Sequence, residues 1–351
     1  MKIIIFFFKI SKIIFYFFLI YVIIFISIYI ISAFTLKKGI VLNIPIFRDF
    51  QINFYDRIGN RIIWQTQREC VQYDEDLIYV PRVNFECKFN EVEFKTNLNF
   101  DEYGRKTKFK ENFIKKEANL INIKSEQKND GIVVLGDSFA MGYGVNDEEV
   151  FSALLEKKIN RPVYNLAVSS YATEREILRL KKSKLIDKVD TILIFYADND
   201  IGENRASNAN QKKENNKLIF DKIINEKTSS LIKIRKIARY SLQIPIQELI
   251  SKTSYFDWND HEKELINVIR KYPFIHQKKI FIIVFPGSLE RRSYYKNYEP
   301  KEYPEFNYLK FLYIQNKHED YFLIDGHPNQ KGHKKAAEIL YNKLKPADKL
   351  D

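Results

Sequence analysis

The feature that most constrains this chain is an alternation of short hydrophobic runs with amphipathic segments, which begins at residue 131. The runs have the length of buried strands, and the segments between them have helical spacing. Strands joined by helices pair in parallel, so the pattern predicts a mainly parallel sheet with helices on both faces. We expect its five strands at residues 132–135, 162–166, 191–196, 280–285 and 322–324.

Two of the intervening helices carry a recognisable start signal. Asn146 with Glu149, and Thr173 with Glu176, have the spacing of a capping box. Two further helices are expected from about residues 259 and 332, without such a signal.

Residues 201–260 are expected to be an insertion in this pattern. Their first half, 201–230, is polar and rich in Asn and Lys. Residues 231–242 predict a helix with one basic face, which either lies on a membrane surface or packs on its own domain with that face in water.

Polar residues follow four of the predicted strands. Because the carboxyl ends of parallel strands share one edge of a sheet, we expect these residues to form one ligand site there. The four clusters lie at residues 136–138, 165–170, 197–200 and 325–329.

These clusters contain the groups needed for acyl transfer. A serine becomes nucleophilic when an imidazole accepts its proton and a carboxylate orients that imidazole. Ser138, His327 and Asp325 supply these three roles. The backbone N–H groups of Ser138 and Ser170 and the amide of Asn199 are placed to stabilise an oxyanion. On sequence alone, a turn or capping serine at position 138 would look the same.

The remaining histidines and the cysteines narrow the function class. Five histidines and two cysteines exclude a zinc finger, an iron–sulfur protein and a disulfide-dense scaffold. His333 is expected to be structural, and His261, His276 and His318 are expected at the surface. No metal site is predicted.

Residues 131–345 resemble the SGNH/GDSL hydrolase superfamily, whose four blocks are similar to GDSFAMGYGV, NLAVSSYAT, ADND and DGHPN here. The resemblance implies Ser138 as nucleophile, Asp325 and His327 as its partners, and Ser170 and Asn199 in the oxyanion hole. It also implies a three-layer α/β/α fold. The implied activities are those of esterases, lipases, thioesterases, carbohydrate deacetylases and O-acyltransferases, without a metal or other cofactor.

Three positions depart from the family pattern. Ser170 and Ala197 each replace a glycine, and only Gly326 separates Asp325 from His327, where two residues are usual. A backbone donor at position 170 tolerates serine if the local φ does not demand glycine.

The N-terminal residues 1–34 predict a short tail and a membrane anchor. Residues 13–34 carry no charge and are long enough to cross a bilayer as a helix. A cleaved signal peptide is the alternative, but its apolar region is normally shorter, and residues 32–34 make a poor cleavage site. Lysines flank the span on both sides, so charge does not decide the orientation. We expect an inside tail and an exported domain.

Residues 35–130 lie between the anchor and the catalytic domain at 131–351. Strands at 52–55 and 61–64 are predicted to flank a hairpin turn at Gly59 and Asn60. A period-two pattern at 85–90 predicts a further half-buried strand. The charge-dense residues 101–130 are interpreted as a connecting arm. Cys70 and Cys87 form either one disulfide or two buried thiols.

Together these features predict a membrane-anchored serine hydrolase that removes an acyl group, acetyl first of all, from an envelope or extracellular carbohydrate. An O-acyltransferase using the same acyl-serine is the first alternative. A lipid esterase or thioesterase and a non-catalytic binding module follow. The net charge of +12 suits an anionic surface, although a lysine-rich composition explains it equally well. No nucleic-acid partner is expected, and the sequence does not indicate an oligomeric state.

Overall fold

A computed structural model describes residues 2–57, 62–106, 130–208, 215–225, 258–284 and 302–345. Within these ranges the chain forms an N-terminal pair of helices, two small antiparallel sheets and one larger parallel sheet. The predicted turn at Gly59 and Asn60, most of the charged arm and the basic helix at 231–242 lie outside the described residues.

The chain begins with a long apolar helix, α1 (Lys2–Lys37), followed by α2 (Pro45–Arg57). The part of α1 from Ser11 to Lys37 is long and apolar enough to cross a membrane, and its large hydrophobic side chains are mostly exposed. The rings of Phe25 and Phe50 pack edge to face with centroids 5.0 Å apart. This contact holds α2 beside α1.

The predicted strand at 52–55 is wrong, because these residues form the second half of α2. Phe50, Gln51 and Tyr55 are buried at helical spacing along it. A window of four residues is too short to show a period of 3.6, so the hydrophobic residues there resemble a strand.

Two small antiparallel sheets follow α2. The first pairs β1 (Val71–Asp74) with β2 (Ile78–Pro81), and the second contains β3 (Glu86–Asn90), β4 (Lys95–Asp101) and β5 (Gly104–Arg105). Cys87 and Phe89 are buried while their neighbours are exposed, which confirms the period-two strand. Cys70 forms a disulfide with Cys87, so the first of the two alternatives for the cysteines holds.

The larger sheet confirms the predicted α/β architecture. Its strands are β6 (Gly131–Leu135), β7 (Val163–Asn165), β8 (Val189–Tyr196), β9 (Lys279–Val284) and β10 (Tyr308–Tyr313). They are arranged in the order β10-β9-β8-β6-β7, and every pairing is parallel. The polar clusters after β6, β7 and β8 therefore meet at one edge of the sheet.

The number of strands is as predicted, but the fifth strand is a different segment. It is β10 at the edge of the sheet, and residues 322–324 form a loop and turn instead. Their hydrophobic side chains have other partners: Phe322 packs on Phe94 at 4.9 Å between centroids, and Ile324 packs with Leu36 and Tyr55. Asp325 and His327 therefore do not follow a strand.

Seven helices accompany the parallel sheet within the described residues. They are α3 (Ser138–Met141), α4 (Phe151–Ile159), α5 (Thr173–Ser183), α6 (Ile201–Asn208), α7 (Asn216–Asn225), α8 (Trp258–Arg270) and α9 (Gln330–Leu344). Helices α4 and α9 pack on one face of the sheet and α5 and α8 on the other, which gives three layers. Helices α6 and α7 occupy part of the predicted insertion.

Neither predicted capping box caps a helix. The Asn146 N–H donates to the Glu149 carboxylate at 3.0 Å, but this pair stabilises a turn and α4 begins later, at Phe151. Thr173 is the first residue of α5, and Glu176 is buried. One cap that the sequence analysis missed is Asn329, whose side chain accepts the N–H groups of Lys331 and Gly332 at the start of α9.

Candidate active site

The turn between β6 and α3 presents Ser138. Asp137 caps α3 by accepting the Phe139 N–H at 2.9 Å, which leaves Ser138 as the first helical residue. Gly136 has φ +151°, and a Cβ there would lie 2.5 Å from the Cβ of Ala140. The close packing of β6 against α3 therefore requires glycine at this position.

His327 lies within hydrogen-bonding distance of both Ser138 and Asp325. The Ser138 hydroxyl oxygen is 2.8 Å from His327 Nε2, and His327 Nδ1 is hydrogen-bonded to Asp325 Oδ1. Asp325 and His327 are buried, whereas Ser138 is half-buried. Gly326 has φ +79°, so the chain turns sharply enough for the acid and the imidazole to meet across a single residue.

A carboxylate from the β3–β4 loop holds the backbone of this turn. Glu93 accepts the N–H groups of Leu323, Ile324 and Asp325 at 2.7, 2.8 and 2.8 Å. Burial raises the pKa of Glu93, while these three N–H groups act in the opposite direction. The three bonds hold the segment leading to His327 in one conformation.

The three predicted oxyanion donors lie around one cavity. The cavity has a volume of about 430 Å³ and is lined by Ser138, Ser170, Asn199 and His327 among others. Ser170 has φ +60°, the left-handed conformation that glycine adopts more readily. Asn199 is exposed. The structure thus brings together every residue that the sequence analysis placed in the site.

The loop carrying Ser170 is held by residues that sequence analysis did not identify. The Gln65 side chain accepts from the Ser169 hydroxyl at 3.0 Å and donates to the Ser170 hydroxyl at 2.8 Å. The Tyr79 hydroxyl donates to the Ser169 carbonyl at 2.7 Å. Neither residue belongs to a motif, so no local signal could have found them.

The loop after α3 is held by Arg105, whose side chain is fully buried. Its guanidinium donates to Asp147 Oδ1 at 2.9 Å. The other donors of the same group satisfy three carbonyls, those of Met141, Gly142 and Val145. Burial lowers the pKa of Arg105, and Asp147 opposes that effect. Arg105 therefore fixes the turn that follows Ser138 and α3.

Three buried carboxyl groups lie near the oxyanion donors in the chain. They belong to Asp137, Glu176 and Asp200. Burial raises the pKa of each, and the negative charge of Asp200 further raises that of Glu176. In the described residues, no group of three His, Cys, Asp or Glu side chains is arranged to hold a metal ion.

The other four histidines do not line the cavity that contains Ser138. His333 is buried and its Nδ1 accepts the Phe151 N–H at 3.3 Å, in keeping with the structural role expected for it. Burial lowers its pKa to about 3. His318 is exposed and His276 is half-buried. The surface position predicted for His261 is wrong, because its ring is buried and shares a 2.7 Å hydrogen bond with the Tyr196 hydroxyl.

Comparisons with known proteins identify the family of the chain. A family model described as GDSL-like lipase/acylhydrolase matches residues 132–340, more than half of the chain. A solved structure described as a lipolytic protein of the G-D-S-L family from Desulfitobacterium hafniense DCB-2 is 16% identical, with a TM-score of 0.33. That match covers 61% of this chain and 99% of the other.

A second solved structure is a family two carbohydrate esterase from Clostridium thermocellum in complex with cellohexaose. It is 15% identical, with a TM-score of 0.33, and the match covers 61% of this chain and 63% of that one. A search of curated proteins finds no match.

Proposed function

Because the chain belongs to the GDSL-like lipase/acylhydrolase family and is a hydrolase acting on ester bonds, we propose that Ser138 is the nucleophile that attacks its substrate. The 2.8 Å bond from the Ser138 hydroxyl to His327 carries this proposal. The substrate we propose is an O-acetyl group on an envelope or extracellular carbohydrate.

The proposed first step forms an acyl-serine. His327 Nε2 takes the hydroxyl proton as Ser138 Oγ bonds to the ester carbonyl carbon. Asp325 holds the imidazole in the tautomer that leaves Nε2 free, and it stabilises the imidazolium. The negative charge that develops on the carbonyl oxygen is met by the N–H groups of Ser138 and Ser170 and by the Asn199 amide.

Departure of the alcohol completes the acyl-serine, because the imidazolium gives its proton to the leaving oxygen as the C–O bond breaks. The second step regenerates the enzyme, and in it His327 takes a proton from an incoming water. That water attacks the acyl carbon, and Ser138 leaves with the proton that His327 returns. A sugar hydroxyl attacking in place of water would make the protein an O-acyltransferase.

The location we propose rests on two features outside the catalytic domain. Helix α1 exposes the hydrophobic side chains expected of a membrane anchor. The disulfide between Cys70 and Cys87 suits an oxidising compartment, so the catalytic domain would face the outside of the cytoplasmic membrane. An ester on an envelope carbohydrate is within reach of such a domain.

The test uses the full chain in detergent with p-nitrophenyl acetate and a fluorophosphonate probe. We expect hydrolysis and a single adduct on Ser138, both lost in Ser138→Ala. Ser207→Ala is the matched control, because Ser207 lies on α6 and its hydroxyl accepts from Lys271. Wild-type turnover by Ser138→Ala would remove this serine from the mechanism.

Two further measurements separate the finer alternatives. A rate that falls steeply from the acetyl to the octanoyl ester would favour a deacetylase, and the opposite trend would favour a lipid esterase. Transfer of acetyl to an added oligosaccharide, measured by mass spectrometry, would identify an acyltransferase. Proteolysis from outside intact cells reports the orientation of the catalytic domain.

A further inference from the structure

Helix α2 connects the proposed membrane anchor to the catalytic acid. Tyr55, near the end of α2, is buried against Leu36 of α1 and against Ile324, the residue before Asp325. Three distant parts of the chain therefore meet at one aromatic ring. The family match begins only at residue 132, so Tyr55 lies outside it.

The Tyr55 hydroxyl lies between two carboxylates. It is 2.8 Å from Glu91 Oε2 and 3.2 Å from Asp325 Oδ2. The other oxygen of Asp325 is the one bonded to His327. The hydroxyl is therefore placed to hold Oδ2 of Asp325 while the imidazole engages Oδ1.

This arrangement matters because Asp325 is buried. A carboxylate removed from water needs donors on both oxygens, or its charge is destabilised. Burial raises the pKa of Tyr55, and the charges of Asp325 and Glu91 raise it further, so the phenol stays protonated and remains a donor. The Tyr55 hydroxyl is thus suited to orient the Asp325 carboxylate.

We infer that Tyr55 is a positioning residue for the reaction, acting through Asp325 and making the helix next to the anchor part of the active-site structure. The inference rests on the proposed roles of Ser138, His327 and Asp325. It adds a residue that touches neither the substrate nor the reacting atoms.

The decisive variant is Tyr55→Phe in the full chain, which keeps the ring and removes only the hydroxyl. Small displacements of a catalytic group cost up to about 10²-fold in rate, so we expect kcat to fall by about 10- to 100-fold with KM nearly unchanged. The rate of fluorophosphonate labelling at Ser138 should fall by a similar factor. Tyr272→Phe is the matched control, because Tyr272 also donates to a carboxylate, that of Glu174 at 3.1 Å, and neither residue lines the cavity that contains Ser138.

A double-mutant cycle distinguishes positioning from a general loss of stability. If Tyr55 acts through Asp325, Tyr55→Phe should have no further effect in the Asp325→Asn background. Equal losses in both backgrounds would overturn the inference, since they would place the effect of the hydroxyl elsewhere.

Glu91→Gln is the second variant, and it does not depend on Tyr55→Phe folding well. The glutamine keeps an acceptor for the Ile62 N–H and offers its own N–H₂ to the phenol oxygen, which directs the phenol proton to Asp325. We expect labelling at the wild-type rate or faster. A loss equal to that of Tyr55→Phe would overturn the inference.

The outcomes separate this inference from the proposed function. A wild-type protein that is not labelled at Ser138 would contradict the proposed function. A labelled wild type with an equally reactive Tyr55→Phe would contradict only the role of Tyr55.

Discussion

The α/β domain and the region before it contribute different things to the same site. The α/β domain, residues 130–345, supplies Ser138, His327 and Asp325 and the groups that we propose as oxyanion donors. Residues 45–106 supply none of these groups, yet their side chains contact three of the four segments that carry or adjoin them. The reacting groups and the groups that hold them thus come from separate parts of the chain.

Each of these three segments has its own contact from the preceding region. Arg105 binds the loop after Ser138, Gln65 binds the loop carrying Ser170, and Glu93 binds the turn before His327. A sheet edge alone leaves such loops free to vary, since loops are the mobile part of most folds. The comparison teaches that the region before the family domain belongs to the active-site scaffold.

The largest expected effect comes from the α/β domain and concerns rate. Asp325→Asn should depress kcat by as much as about 10⁴, because the imidazole would adopt the wrong tautomer. The melting temperature should hardly change, although kcat falls by orders of magnitude. His327→Ala should be at least as damaging, and steady-state kinetics with circular dichroism would measure both variants.

A small effect of Asp325→Asn on kcat would contradict the assignment of Asp325 to the reacting groups. If kcat fell less than about tenfold, the imidazole would not depend on this carboxylate. The protein would then work as a Ser–His pair.

The next effect concerns stability and comes from the preceding region. Arg105→Met should lower the free energy of unfolding by about 3–5 kcal/mol, because Asp147 and three buried carbonyls lose their donors. Urea unfolding in mild detergent measures it. Arg270→Met is the matched control, since its pair with Glu305 is exposed and should contribute less than about 1 kcal/mol.

These two variants also show what the sequence could and could not predict. Asp325 lies in a short block with a recognisable neighbourhood, and the strands that position the other blocks have clear hydrophobic patterns. Arg105 donates to carbonyls about forty residues further along the chain. A buried arginine whose partners are backbone carbonyls leaves no pattern in the sequence, because any residue supplies a carbonyl.

The errors in the fold have the same origin. Residues 322–324 are hydrophobic because they pack on Phe94, Leu36 and Tyr55, which are distant in sequence. A short hydrophobic run does not show whether it is covered by a neighbouring strand or by another part of the chain. β10 was missed for the converse reason, since an edge strand is only half-buried and alternates poorly.

The third prediction returns to the α/β domain. Asn199→Ala should lower kcat by about 10²–10³ with little change in KM, because an oxyanion donor acts mainly as charge develops. Steady-state kinetics on p-nitrophenyl acetate measure both constants. Unchanged kinetics would mean that the Asn199 amide does not serve the oxyanion.

The fourth prediction concerns the pH dependence of stability, which we expect to arise from a group in the α/β domain. The pKa of His333 is lowered to about 3 in the folded α/β domain, so the unfolded chain binds an extra proton between about pH 6.5 and pH 3. The folded state is therefore favoured at high pH and loses stability as the pH falls. From pH 7 to pH 5 we expect a loss of about 2 kcal/mol from this group.

His333→Gln tests that assignment by chemical unfolding at several pH values. The variant starts from a lower stability, but its decline between pH 7 and pH 5 should be shallower than that of the wild type. Parallel slopes would show that His333 is not the group responsible. A reductant should instead lower the stability of the region before the α/β domain, because it breaks the disulfide between Cys70 and Cys87.

The smallest expected effect is at Ser170, where the two regions meet. Ser170→Gly would relieve a left-handed conformation at φ +60°, which costs a non-glycine residue about 1 kcal/mol. It would also remove the hydroxyl that accepts from Gln65 at 2.8 Å, a bond contributing about 0.5–1.5 kcal/mol. These terms nearly cancel, and the backbone N–H is unchanged, so kcat should stay within about threefold of wild type. A larger loss in steady-state assays would mean that Gln65 holds the oxyanion loop through this hydroxyl, and Gln65→Ala should then reproduce it.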